Sequence, residues 1–151
     1  MNVGKKILID KNLFIGHRDY FGNFEFRKGG GDNLAKDIFK SNYLSLEISH
    51  GSFSKKNFFS FIIFDNNNNK NLLKKKISNR FRIFKYLIIF YQILLFRINN
   101  NYNFKTLLCI DPISSLLGFF LKNNKNDKLI FHITDYSKKR FVNIILNFIY
   151  Q

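Results

Sequence analysis

From Phe104 onward, short apolar runs alternate with helical ones, and that rhythm restricts the possible folds more than any other feature of the chain. Phe104 to Ile110 reads as a strand, and Pro112 to Leu121 as a helix whose proline falls in the first turn, where a missing N–H costs nothing. A polar Asn/Lys loop follows, then a strand from Lys128 to Ile133, a charged turn, and an amphipathic helix from Lys139. Strands that alternate with helices in this way form a parallel sheet joined by right-handed crossovers. The expected fold class is therefore α/β: a Rossmann-like, open, mainly parallel sheet with helices on both faces.

The first hundred residues follow the same logic less regularly. Lys6 to Ile9 reads as a short buried strand. His17 to Tyr20 and Asn23 to Phe26 form either a strand pair or part of a long loop, and periodicity does not decide between them. Gly29-Gly30-Gly31 reads as a loop before a helix capped by Asp32 or Asn33, with Leu34, Ile38 and Phe39 on one face. Tyr43 to Ile48 alternates apolar and polar residues, Asn57 to Phe64 is a second β-type run, and Asn66 to Asn69 is a solvated loop or hairpin tip. Lys74-Lys75-Lys76 reads as the basic approach to a long helix from about Ile77 to Ile98. The apolar stretch of that helix, between Lys85 and Arg97, falls well short of the ~20 residues that span a bilayer core. A helix buried in an α/β layer is expected, with a helix lying in the membrane interface as the alternative.

At 151 residues the chain is expected to form one domain, residues 1–151. Its formal net charge of +15 points to a polyanionic partner, either an anionic membrane or nucleic acid. A competing source is compositional: the chain is crowded with Asn, Lys, Ile and Phe, and holds a single alanine, Ala35, a single proline and no tryptophan. Cys109, the sole cysteine, cannot form an internal disulfide, which fits a reducing compartment. Ile7-Leu8-Ile9 is stopped by Asp10, too soon for a signal peptide. A cytoplasmic protein is expected, with peripheral association at the inner membrane face as an option. No pair of histidines, cysteines or carboxylates has the spacing of a metal site.

The chemistry is most legible at strand ends, where open α/β sheets project ligand groups into the crevice beyond the carboxyl edge. Asp135, Tyr136 and Arg140 follow the last strand, and Asp111 follows the one before. Asp135 is either a turn-former accepting backbone hydrogen bonds or a carboxylate directed into the crevice. Arg140 either pairs with Asp135 or holds an anionic group with its planar fork, and Asp111 either lines the crevice or caps the helix that Pro112 begins. Gly30 and Gly31 offer unhindered N–H groups at a helix start, an apt place for phosphate, but glycine runs are by themselves a weak signal because they more often make plain flexible loops.

The segment Asp135-Tyr136-Ser137, followed by Arg140-Phe141 and Asn143, resembles the Asp-Tyr-Ser-Pro-x-Arg-Phe-x-Asn stretch in the N-terminal half of GT-B glycosyltransferases of the group 1, family 4-like type, with Lys138 where that pattern has proline. Cys109 to Gly118 is similar to the same group's strand, Asp and Leu/Gly-rich helix, and Ile48 to Phe53 to its second strand end. The resemblance implies an N-terminal, acceptor-side domain of an enzyme that moves a sugar from a nucleotide-sugar donor to a glycan or lipid-linked acceptor, without a metal or other cofactor. It implies Asp135 as the catalytic residue, Gly30 and Gly31 against the donor pyrophosphate, and Asp111, Tyr136 and Arg140 at the acceptor. The donor-binding second domain of such enzymes is absent from this sequence, so a truncated product or one subunit of a split enzyme is expected, with little activity alone and no nucleic-acid partner. The alternative is a non-catalytic basic module that binds anionic membrane or nucleic acid.

Overall fold

A computed structural model describes residues 8–18, 20–21, 25–26, 30–49, 58–78 and 84–132. Its centre is a six-stranded sheet in the order β6-β5-β4-β1-β7-β8, formed by β1 (Ile9–Arg18), β4 (Tyr43–Ser49), β5 (Phe58–Asp65), β6 (Lys70–Ser78), β7 (Tyr102–Cys109) and β8 (Lys128–Phe131). β1 pairs in parallel with β4 on one side and β7 on the other, and β7 pairs in parallel with β8. β5 is antiparallel to both β4 and β6, so β6 again points the same way as β4. A small antiparallel pair, β2 (Tyr20–Phe21) and β3 (Glu25–Phe26), lies outside the main sheet. The fold is thus α/β with a mostly parallel sheet, compatible with a Rossmann-like architecture.

Among the described residues, three helices cover the sheet. Side chains alternate across each strand, so Leu13 and Ile15 of β1 pack with Leu44, Leu46 and Ile48 of β4 under α2 (Lys85–Asn99) and α3 (Pro112–Leu121), which contribute Ile89, Ile93, Leu117 and Leu121. Phe14 and Leu108 face the opposite way, onto Ala35 and Phe39 of α1 (Gly30–Phe39). The chain moves from β1 to β4 through α1 in one direction along the sheet. It moves from β6 to β7 through α2, and from β7 to β8 through α3, in the other. Reversing direction with an unchanged crossover hand puts a helix on the opposite face. That is why, among the described residues, α1 lies on one side and α2 and α3 lie together on the other.

Three sequence readings change. Leu8 and Ile9 are exposed (59 and 48 %), so the buried core of the first strand is Leu13-Phe14-Ile15 rather than Lys6 to Ile9, of which Lys6 and Ile7 lie outside the described residues. Lys74 to Ile77 belong to β6, and the helix expected from Ile77 has its α-helical span at Lys85 to Asn99. Lys75 stands opposite Phe61 and Ile77 opposite Phe59 in the β5–β6 ladder, a non-local pairing that outweighs local helix tendency. β4 alternates as read, yet its polar face is not solvated: Ser45 and Glu47 are both buried. Finally, α1 begins at Gly30, so Gly30 and Gly31 form its first turn, with the buried Asp32.

The polyasparagine stretch is a hairpin tip, as expected. Asp65 Oδ1 accepts from the amides of Asn67 (2.9 Å) and Asn68 (3.3 Å), and Oδ2 accepts from the Asn68 side chain (2.9 Å). Asn69 closes the turn at φ 50°, a left-handed conformation that asparagine tolerates well.

Helix α3 approaches the sheet closely because Gly118 lacks a side chain. A Cβ there would lie 2.7 Å from Cys109 Sγ and 2.9 Å from Leu129 Cδ1. Gly118→Ala gains helix propensity but must overpack this contact, and it is expected to lower unfolding free energy by about 1–2 kcal/mol. Urea denaturation checks this, and adding Cys109→Ala should make the double variant more stable than the sum of the single effects.

Candidate functional site at the carboxyl edge of the sheet

The strand order reverses at β1, and the crevice beyond the carboxyl ends of β1 and β7 is where a sheet of this kind accommodates ligands. Ile15 and Cys109 are paired across this boundary, and the Ile110 amide donates to the Ile15 carbonyl. Gly16 comes next on β1. It is buried, and a Cβ added to it would meet the Phe14 ring at 2.9 Å and Ile110 at 3.2 Å. The backbone at the switch point therefore fits only glycine without rearrangement.

Helix starts converge on this edge. α1 follows β1, α3 follows β7, and α2 runs back toward the start of β7, so each has its N-terminus at the carboxyl side of the sheet. The positive ends of three helix dipoles therefore face one rim. On the α1 side stand the first-turn glycines, Gly30 and Gly31, and the buried Glu47, which is paired with Gly16 in the β1–β4 ladder. Sequence reasoning missed Glu47, because an alternating strand suggests a wet polar face. The helix-forming stretch from Leu34 to Phe39, placed between two parallel strands, was the signal that both faces are covered.

On the other side of the sheet, Asp111 is the N-cap of α3, its backbone extended at φ −153° and ψ 164°. Oδ1 accepts from the Ser114 amide at 2.9 Å and Oδ2 from the Ser114 hydroxyl at 2.6 Å. Both carboxylate oxygens are thereby engaged in building the helix start, the capping role that Pro112 made one of two options. The negative charge is felt locally. Burial first, and Asp111 second, push the Tyr86 hydroxyl well above the usual tyrosine range and the Cys109 thiol up to about 12. Beside Tyr86 at the start of α2, the Lys85 ammonium lies 5.3 Å from the centre of the Tyr86 ring.

β8 delivers the chain to the same edge: the His132 amide donates to the Cys109 carbonyl at 2.8 Å. Asp135, Tyr136 and Arg140, the catalytic and acceptor candidates, lie outside the described residues. The structure brings Gly30, Gly31 and Asp111 to one rim, the glycines and Asp111 on opposite sides of the sheet. A hollow of about 370 Å³ lined by Lys36, Lys40, Ser41, Tyr43 and Asn66 belongs to the opposite, amino edge. Among the described residues no cluster of His, Cys, Asp and Glu could hold a metal ion, and no helix is long and apolar enough to cross a membrane. No protein-family model matches the chain, and neither a curated protein nor a solved structure matches it.

Asp111→Ala is expected to cost about 1 kcal/mol of stability by loss of the cap, with Asp111→Asn or Asp111→Ser recovering most of it; equilibrium unfolding measures both. The buried thiol adds a pH signature. Its folded value lies above the ordinary 9.0, so its contribution is complete below that pH and drains away as pH rises toward about 12. Stability should fall across that window by at most about 1.4 kcal/mol per pH unit from this group. Cys109→Ala should flatten the decline in a urea-midpoint series.

Proposed function

We propose that this chain is the acceptor-side, N-terminal domain of a GT-B glycosyltransferase, which transfers a sugar from a nucleotide-sugar donor to a glycan or lipid-linked acceptor. The observation that carries the reading is the strand order. β1 is a switch point flanked by parallel strands, α1 opens on two glycines at its carboxyl edge, and the neighbouring parallel strand ends in the Asp111-Pro112 helix start. The likeness of residues 135–143 to the glycosyltransferase segment falls on the part of the sequence that follows β8, whose carboxyl end lies at this edge.

In this reading the acceptor lies in the crevice and its hydroxyl is oriented by Asp135, which takes the proton as the oxygen attacks the anomeric carbon. The new C–O bond forms as the bond to the nucleoside diphosphate breaks. The diphosphate carries the negative charge away, and the first-turn N–H groups of α1 at Gly30 and Gly31 are suited to receive it, since no Cβ limits approach. Asp32 follows them, but its side chain is only 5 % exposed. Tyr136 and Arg140 supply polar contacts to the acceptor. A partner domain or subunit provides the donor-binding wall, because effective positioning needs both sides of a cleft.

Extracts of cells carrying Asp135→Ala in place of the normal chain should incorporate labelled sugar from the cognate nucleotide sugar at least ~100-fold more slowly than wild type. Gly31→Val should raise the donor KM more than it lowers kcat. Unchanged incorporation in cells deleted for the chain, across uridine, guanosine and thymidine diphosphate sugars, would overturn the reading.

A further inference from the structure

α2 has no polar outer face. Ile89 and Ile93 point at the sheet, and Phe84, Leu87, Tyr91, Leu95 and Ile98, spaced three and four residues apart, form its exposed stripe. Leu87 is 66 % exposed and Tyr91 56 %. Helices that are apolar all round are ordinarily buried on every side. α3 extends the patch: Leu116, Phe119 and Phe120 are each about 60 % exposed (59, 61 and 59 %), and the Phe120 ring meets Phe90 of α2 edge-on at 6.2 Å. Since α2 and α3 lie side by side on one face of the sheet, these side chains form one broad apolar plate. Contiguous exposed patches of this kind on folded proteins mark contact surfaces.

The charge around the plate is predominantly basic. β6, α2 and α3 contain no acidic residue. The described stretch from Lys70 to His132 carries ten basic residues against two acidic ones, Asp111 and Asp127, and both carboxylates accept hydrogen bonds from backbone amides in helix or loop structure. Lys75 on β6 donates to Gln92 of α2 and so stands on one flank of the plate. Lys85 marks one end of α2, and at the other end Arg97 donates to the Leu121 carbonyl, beside Lys122. Long basic side chains at the rim of an apolar surface bury their stems and keep their charge at the level of lipid headgroups.

We propose that the α2–α3 face is a membrane-docking surface that rests on an anionic bilayer, with Leu87, Tyr91, Leu116, Phe119 and Phe120 entering the boundary between headgroups and acyl chains and Lys75, Arg97 and Lys122 meeting acidic lipids. The pairing of an apolar plate with a predominantly basic rim selects an anionic lipid surface over a neutral one. A second copy of this chain would instead bring two basic rims together, which like-charge repulsion opposes. This inference does not depend on the glycosyltransferase reading, since docking requires neither donor nor acceptor.

The test is co-sedimentation of the full chain with phosphatidylcholine vesicles carrying roughly 30 mol % phosphatidylglycerol, alongside pure phosphatidylcholine vesicles. Binding is expected to be at least ~10-fold stronger to the anionic vesicles and to weaken with added salt. The triple variant Leu87→Gln, Tyr91→Gln, Phe119→Gln should lose at least ~30-fold in partitioning while keeping its far-ultraviolet circular dichroism and thermal midpoint, because the three positions are mostly exposed. A second variant, Lys75→Gln with Lys122→Gln, should keep its fold and lose the preference for anionic vesicles. Absence of binding to either vesicle, binding undiminished in the triple variant, or a wild-type dimer that the triple variant converts to monomer would each overturn the proposal. Failure here would leave the sugar-transfer assay unaffected, and the reverse.

Discussion

The rest of the fold depends on the burial of one strand on both faces. β1 places Leu13 and Ile15 under α2 and α3 and Phe14 under α1, and it pairs on both edges with parallel neighbours. A strand in that position has no solvated side, so its neighbours must reach it by crossovers that carry helices over the sheet. With a fixed crossover hand, the helix that leads to β4 and the helices that lead to β7 and β8 take opposite faces. The convergence of helix starts on the carboxyl edge, and the reversal of strand order at β1, are consequences of that one arrangement. Gly16 and Gly118 record how tightly it is drawn, since a methyl group at either would collide with a packed side chain.

The second half of the chain was readable because its signals are local and agree with one another. Pro112 in the first turn, Asp111 as cap and the apolar run to Leu121 specify α3 within its observed bounds, and the flanking strands follow from β-rich runs bounded by polar loops. Asp65 and the four asparagines specify the hairpin tip in the same way. The errors arose where the deciding contact is distant in sequence. Nothing local distinguishes Leu72 to Ile77 as a strand, since its pairing partners Phe59 to Ile63 supply the reason. The burial of Glu47 likewise depends on the layer that covers β4 rather than on the alternation within it. For the candidate site, the role of Asp111 was one of two options that sequence alone left open, and Gly30 and Gly31 were assigned to a loop when they form a first turn. Asp135, Tyr136 and Arg140 rest on their place in the sequence after β8.

The proposed activity and the proposed docking surface are geometrically compatible. The apolar plate lies along the outer surfaces of α2 and α3, and the crevice lies at the end of the same helices where Lys85, Tyr86 and Asp111 gather. A domain resting on that plate would hold its crevice at the height of the headgroups, within reach of a lipid-linked acceptor. The amino-edge hollow near Lys36 and Lys40 is at the far end of the strands and takes no part in this arrangement.

The central claim is that ligands meet this domain at the carboxyl edge of β1 and β7. The most direct measurement is a backbone amide NMR titration with uridine diphosphate sugars and with candidate acceptor glycans. The account predicts that shift changes gather at Gly16, Gly30, Gly31, Asp111 and His132. Changes confined to Lys36, Lys40, Ser41, Tyr43 and Asn66, at the opposite edge, would contradict it.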